Sequence, residues 1–122
     1  MLLEESLPGR ASGALDEPAA ERLELPTVLA ALADPGRLAI VRALAEQGEE
    51  CCNRVAELAG LTVGKSTLSH HMKVLRESGV THTRAQGTHR YVSLRRQELD
   101  GAFPQLLDAV LGVRARMNVA GL

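Results

Sequence analysis

The chain has 122 residues and a formal net charge of −1, and 45% of its residues are apolar, with one Tyr, one Phe and no Trp. This length allows one domain with a modest core of Leu, Val, Ala and Met. No apolar run reaches the roughly 18–20 residues of a membrane span, and residues 1–10 lack the basic start and long apolar stretch of a signal peptide. We therefore expect a cytoplasmic protein without membrane contact.

The small net charge hides a basic block. Residues 54–96 contain eight Lys or Arg and two acidic residues, a net charge of +6, whereas the rest of the chain carries −7. A basic block inside an otherwise acidic chain is typical of a protein with one face for a polyanion such as nucleic acid.

The first half of the chain predicts a tail and three helices. Residues 1–18 are rich in Pro and Gly and predict a flexible tail. A first helix is expected to begin at Ala19 or Pro26 and to end at Ala33. Asp34-Pro35 is a strong start for a second helix, with Asp as N-cap and Pro at the first helical position. That helix should carry Leu38, Val41 and Ala45 as its apolar stripe, with Ile40 and Leu44 beside it, and end at Gly48. Cys51 to Gly60 predicts a short third helix.

The second half predicts a helix, a hairpin and a final helix. The fourth helix spans Lys65 to Ser78 and ends at Gly79. Two strand-like runs, Val80–Ala85 and His89–Leu94, flank a turn at 86–88. The last helical stretch is Gln97–Met117, with an interruption near Phe103-Pro104. This order predicts a winged helix-turn-helix, mainly α with a small β-hairpin wing, as one domain over 19–117 followed by a short tail over 118–122.

The fourth predicted helix has two different faces. Leu68, Met72 and Leu75 lie on one side and are expected in the core. The opposite side carries Ser66, Ser69, His70, Lys73 and Glu77. Small hydroxyl residues, hydrogen-bond donors and a cation suit a helix that enters a DNA major groove. The alternative is an ordinary solvated face, but such faces favour Glu and Lys over the weaker helix formers Ser, Thr and His.

The predicted hairpin adds a second basic element. Arg84, His89 and Arg90 flank its Gly-containing tip, and Arg95-Arg96 follow directly. A basic β-ribbon tip can lie along the minor groove, where Arg is favoured. The hairpin therefore also favours DNA as the ligand.

Three segments together resemble the arsenic-repressor-like (ArsR/SmtB) family of bacterial transcription regulators. They are KSTLSHHMKVLRESG at 65–79, ALADPGRL at 31–38 and RAQGTHRY at 84–91. The run from Ser69 to Val80 matches the signature of the family's DNA-reading helix. The resemblance covers about residues 26–112, and the combination is much more specific than any one motif.

The resemblance implies a cytoplasmic homodimer that binds a near-palindromic operator in double-stranded DNA and represses transcription until an effector lowers its affinity. It implies DNA-binding residues on the fourth helix and on the wing: Lys65, Ser66, Thr67, Ser69, His70, Lys73, Arg84, Gln86, Gly87, His89 and Arg90. The terminal helices would form the dimer interface, with Leu106, Leu107, Val110 and Leu111 as apolar candidates. The alternative is that this apolar stripe covers the core of its own domain.

Cys51 and Cys52 are the candidate sensor residues. A disulfide between neighbours would be strained, so two free thiols are expected. Family members sense metals or metalloids through thiolates near this position, and soft thiolates suit trivalent arsenic, Cu(I), Cd or Zn. Metal coordination with a His or with Glu49 or Glu50, and oxidation of a thiol activated by Arg54, are related hypotheses. The competing interpretation is one buried Cys and one partly exposed thiol without a sensing role, so no metal or cofactor is assigned.

Other sites and functions receive less support from the sequence. The last predicted helix has no His, and its acidic residues alone make a poor zinc site. His71 is expected to pack or to form an internal hydrogen bond. A winged helix that binds a protein and senses no effector is the alternative function, but it should lack the basic block or show an apolar patch there. An enzyme is not expected, since no Gly-rich phosphate loop or plausible catalytic constellation is present.

Overall fold

The described part of the protein, residues 17–112 of a computed structural model, begins with a 3₁₀ turn and two α-helices. The turn is Ala20–Arg22, α1 is Leu25–Leu32 and α2 is Pro35–Gln47. Asp34 caps α2 as predicted, because its Oδ2 accepts a hydrogen bond from the Arg37 backbone N–H at 3.0 Å. Most of the predicted N-terminal tail and the whole predicted tail over 118–122 lie outside the described residues.

Two further helices form the predicted helix-turn-helix. They are α3, Cys52–Leu58, and α4, Lys65–Ser78. The bounds of α4 agree with the prediction, and Gly79 ends it with a left-handed φ of 89°. Met72 and Leu75 are buried and Leu68 packs partly buried against the core, which confirms the predicted inner face of α4.

The sheet has one strand more than predicted. The predicted hairpin is formed by β2, Thr81–Gln86, and β3, His89–Leu94, around a two-residue turn at Gly87-Thr88. An additional strand, β1, spans Glu50–Cys51 and pairs antiparallel with β3, so that the order is β1-β3-β2. Cys51 was expected to begin the third helix, and this expectation is wrong: Cys51 is a strand residue that pairs with Tyr91 and precedes α3.

The C-terminal helical stretch is interrupted where the sequence predicts it. Helix α5 is Arg96–Ala102, and a further helical segment, α6, covers 106–112, where the described residues end. The predicted end of this stretch at Met117 lies outside them. Within the described part of the chain, no helix combines the length and the apolar character needed to cross a bilayer.

One hydrophobic core joins the helices to the central strand. Helix α2 contributes Ile40, Val41 and Leu44, whereas Ala45, predicted on the inner stripe, is exposed. Burial of each such aliphatic side chain contributes about 1.5–3 kcal/mol relative to its exposure. Seven elements contribute apolar residues with no exposed surface, among them Val28, Ile40, Val41, Val55, Leu75, Val92, Leu99 and Leu107.

Candidate nucleic-acid interface

The outward face of α4 carries all the helix residues that the sequence assigns to DNA. Each of them is exposed: Lys65, Ser66, Thr67, Ser69, His70 and Lys73. The N-cap residue Gly64 provides no side-chain hydrogen bond, so the N–H groups of the first turn have no side-chain cap. A helix end of this kind can donate to a phosphate oxygen.

Lys73 forms an ion pair on its own helix. Its Nζ lies 2.9 Å from Oε2 of Glu77, and both side chains are well exposed. The hydrogen bond from Lys73 lowers the pKa of the Glu77 carboxyl, so Glu77 stays charged at neutral pH. An exposed pair of this type is weak, and Lys73 can therefore exchange Glu77 for a phosphate.

The wing residues assigned to DNA are also exposed: Arg84, Gln86, Gly87, His89 and Arg90. Arg84 is not free, however. Its Nη2 and Nε donate to the two carboxylate oxygens of Glu49 at 2.9 and 3.2 Å, and its guanidinium lies 4.7 Å from the Tyr91 ring centroid. The hydrogen bond from Arg84 holds the pKa of Glu49 below its ordinary value. Glu49, between α2 and β1, is thus a contact of the wing that sequence reasoning missed.

Part of the basic block is neutralised away from the wing tip. Arg95 is almost fully buried and its Nε donates to Glu98 at 2.8 Å. Arg96 pairs with Asp100 at 3.0 Å and with Asp108. Arg96 thus links α5 to α6, whereas Arg95 pairs within the start of α5. The two arginines that directly follow the hairpin are therefore paired with carboxylates.

A cleft of about 560 Å³ lies between α4 and the wing. Lys65 and Ser69 of α4 line it together with His89 and Arg90 of the wing, so the two predicted DNA-contacting elements border one space. Cys51 and Cys52 line the same cleft. The structure therefore brings the candidate sensor thiols to the candidate DNA face.

The two cysteines are free and half-buried. Burial raises the pKa of the Cys52 thiol above its usual value, and the neighbouring Cys51 raises it further, against smaller opposite effects of Arg90 and Arg76. Cys52 is thus a protonated thiol at neutral pH. Arg54, the residue hypothesised to activate a thiol, pairs through its Nη1 with Glu57 at 3.1 Å. In residues 17–112, no three His, Cys, Asp or Glu side chains are arranged to hold a metal ion.

His71 and His82 lie outside the outward face of α4 and contact other parts of the fold. His71 is buried on α4, with Nδ1 3.3 Å from Nη1 of Arg37 and Nε2 3.7 Å from Oδ2 of Asp34. This confirms the interpretation of His71 as an internal packing residue, and it attaches α4 to the start of α2. Nδ1 of His82 on β2 lies 2.7 Å from Oε1 of Glu17, whose other oxygen accepts a hydrogen bond from the Thr83 backbone N–H.

The predicted dimer residues divide into two groups. Leu106, Val110 and Leu111 are half-buried on α6. Leu107 is completely buried within its own chain, which leaves it no surface for a partner. Leu25 and Leu29, one turn apart on α1, are 41% and 43% exposed and were not singled out from the sequence. Their spacing of four residues was the available signal.

The fold and its exposed faces define a winged helix-turn-helix transcriptional regulator. The family described as "Bacterial regulatory protein, arsR family" matches residues 34–82. The chain is 39% identical over 84 residues to the uncharacterized HTH-type transcriptional regulator YceK of Bacillus subtilis (strain 168), covering 68% of this chain and 82% of that protein. It is 32% identical over 77 residues to the arsenical resistance operon repressor of the same organism, covering 63% and 71%.

A solved structure agrees with these relatives. The homodimeric winged helix-turn-helix DNA-binding domain (fragment 1-100) of a possible ArsR-family regulator from Mycobacterium bovis superimposes with a TM-score of 0.59 at 27% identity, covering 80% of this chain and 82% of that one. The chain belongs to the arsR family of bacterial regulatory proteins. It is a DNA-binding transcriptional regulator, and its relatives are regulators rather than enzymes.

Proposed function

We propose that this protein is a homodimeric repressor that binds a near-palindromic operator, with α4 in the major groove and the wing tip in the minor groove. The observation that carries the proposal is that α4 and the wing border one cleft with their polar and cationic residues exposed. Side chains on α4 then read base edges, and the cations bind phosphates.

The dimer is supported by apolar surface on the terminal helices. Leu25 and Leu29 leave large apolar side chains in solvent on α1, and Leu106, Val110 and Leu111 are only half-buried on α6. A two-fold dimer presents two copies of α4 to two half-sites, which is why its operator would be palindromic. Sedimentation should give twice the chain mass of 13.0 kDa, and a monomer at micromolar concentration would contradict the dimer.

Substitution of Lys73 tests the phosphate contact. Lys73→Gln is expected to weaken binding to all sequences alike and to reduce the slope of log affinity against log salt concentration by about 1, because one fewer counterion is released. Fluorescence anisotropy with a fragment of the protein's own promoter measures both quantities. Glu77→Gln is the matched control, since it breaks the same ion pair but leaves Lys73 charged; it should not weaken binding.

Substitution of Ser69 and His70 tests base reading. Ser69→Ala and His70→Ala are each expected to reduce the preference for the operator over a mutated operator by about 1–3 kcal/mol while leaving the salt slope unchanged. Equal losses on both DNA fragments would assign these residues to the backbone instead. If the parent protein shows no salt-dependent binding to any promoter fragment, the alternative function, a winged helix that binds a protein, is favoured.

We also propose that Cys51 and Cys52 receive a thiol-reactive effector, such as a soft metal ion, a metalloid or an oxidant. The supporting observation is that both residues line the cleft between α4 and the wing, so an adduct there lies against the DNA-binding elements. The pair supplies two soft ligands. A metal ion that takes three or four ligands would need a further ligand here, because residues 17–112 of one chain bring no three suitable side chains together.

A double substitution tests the thiols. The Cys51→Ser, Cys52→Ser protein is expected to bind the promoter fragment like the parent but to stay bound when arsenite, cadmium or hydrogen peroxide releases the parent. A gel shift with and without each reagent measures the release. If the double variant is released by the same reagents, the effector acts elsewhere.

A further inference from the structure

The cleft between α4 and the wing is lined by cations and hydroxyl groups and by no carboxylate. Lys65, Ser69 and Arg76 belong to α4, and Thr88 and Arg90 to the wing. Among the described residues that line it, none is Asp or Glu. The remaining lining is formed by the polar residues Asn53, Thr83 and His89 and by the weakly polar or apolar residues Leu68, Met72, Cys51 and Cys52. A space with this lining has a positive potential that nothing inside it offsets.

The three Lys and Arg residues that line the cleft are also the three of the basic block that form no ion pair with another described residue. Within residues 17–112, five of the eight Lys and Arg residues of the basic block pair with a carboxylate: Arg54, Lys73, Arg84, Arg95 and Arg96. The same part of the chain provides no such partner for Lys65, Arg76 or Arg90. Among the described residues, the unpaired positive charge of the basic block therefore lies in this one cleft.

Arg76 has a donor that needs an acceptor. Its Nε is buried and has no hydrogen-bond partner among the described residues, a state that costs free energy because the group has lost its water. Arg76 and Arg90 both line the cleft, and both guanidinium charges lower the pKa of the Cys52 thiol in the same lining, against the larger effect of burial, which raises it. Guanidinium groups that share one cleft suit the oxygens of a phosphate, which guanidinium binds in a bidentate manner.

We propose that this cleft is an oxyanion site in which Arg76 and Arg90 bind one phosphate-class group, with Lys65, Ser69 and Thr88 as further donors. The group is either a phosphate of the DNA backbone or a small free anion. A free anion would occupy the position of a backbone phosphate and weaken DNA binding. The inference rests on the proposed DNA-binding function of the same face and adds Arg76 and Thr88, which lie outside the residues predicted from the sequence.

Two measurements on the full chain, kept reduced, test the site and identify the source of the anion. The first is the salt dependence of binding to the promoter fragment, in which Arg76→Gln and Arg90→Gln should each lower the slope by about 1 if a backbone phosphate lies in the cleft. The second is thermal unfolding with inorganic phosphate against sodium chloride at equal ionic strength. A ligand that binds only the folded state raises the unfolding temperature in a saturable manner.

A control variant separates the cleft from overall charge. Arg22→Gln removes one exposed positive charge from the 3₁₀ turn, outside the cleft lining, and should leave both measurements as in the parent. A lowered DNA slope in the two cleft variants, without a phosphate response in the parent, identifies the backbone as the source. A phosphate response in the parent that both cleft variants lose identifies a free anion. If both cleft variants behave like Arg22→Gln in both measurements, the oxyanion site is ruled out.

A conservative variant keeps the test independent of folding. Arg76→Lys retains the positive charge but not the bidentate geometry, so it should keep a DNA salt slope near that of the parent while binding phosphate more weakly. The two proposals also fail in different ways. A parent that binds no DNA contradicts the proposed function and leaves the phosphate measurement to decide on the cleft. If the parent binds DNA, and Arg76→Gln shows the same salt slope and the same phosphate response as the parent, only the proposed oxyanion site is contradicted.

Discussion

Gly79→Ala is expected to lower the free energy of unfolding more than Gly60→Ala, the same substitution at another glycine with a positive φ. Gly79 has a φ of 89°, which costs an L-residue about 1–2 kcal/mol. A Cβ at this position would also overlap Cδ2 of Leu23 and lie 3.0 Å from Cγ of Pro18. Displacement of packed side chains adds about 1–3 kcal/mol. Urea unfolding followed by circular dichroism measures the loss as a lower midpoint at unchanged slope.

Gly60→Ala is the matched control for this prediction. Gly60 has a φ of 73°, and an added Cβ would meet nothing within 4 Å. Its substitution should therefore show only the backbone cost, about 1–2 kcal/mol. Leu23→Ala in the Gly79→Ala background should recover part of the difference, because the two positions are coupled by direct contact. Equal losses for Gly79→Ala and Gly60→Ala would show that the segment before α1 does not pack against the end of α4.

Leu107→Ala is expected to destabilise the fold by about 2–5 kcal/mol, the cost of a cavity at a fully buried leucine. Its side chain has no exposed surface in the single chain. The same substitution should leave the dimer dissociation constant unchanged in sedimentation equilibrium, because the residue offers nothing to a partner. Urea unfolding provides the stability value.

Leu29→Ala is the comparison for Leu107→Ala. Leu29 is 43% exposed on α1, so its truncation removes less buried surface and should destabilise the chain less. If α1 lies in the dimer interface, Leu29→Ala should instead raise the dimer dissociation constant. The proposed interface would be contradicted by the reverse pattern, in which Leu107→Ala dissociates the dimer and Leu29→Ala only lowers stability.

Local chemistry explains the parts of the fold that the sequence predicts well. Asp34 caps α2 by accepting a hydrogen bond from the backbone N–H of Arg37, three residues later. Gly79 ends α4 through its left-handed backbone conformation, and Gly87 lies in the hairpin turn with a φ of 62°. Each of these signals acts within a few residues. The bounds of α4 and the division of its faces follow from the same short-range periodicity.

The predictions that fail depend on contacts between distant residues. Strand β1 has only two residues, so it has no alternation to detect and exists only through its pairing with β3. Counting charges treats each Arg as independent, whereas Arg84 pairs with Glu49, 35 positions earlier in the chain. The apolar periodicity of the C-terminal helical stretch likewise predicts that Leu107 is buried. It does not tell whether Leu107 packs in the core of its own chain or against a partner chain.

The position of Glu17 at the edge of the sheet affects how copies of this protein can associate. Strand β2 is an edge of the three-stranded sheet, and unpaired N–H groups on an edge are templates for a strand of another molecule, which leads to aggregation. The Glu17 carboxylate accepts the Thr83 N–H at 2.9 Å and places a charge at that edge. Because the donor is occupied and a neighbouring strand would have to displace the carboxylate, growth of the sheet across β2 is disfavoured.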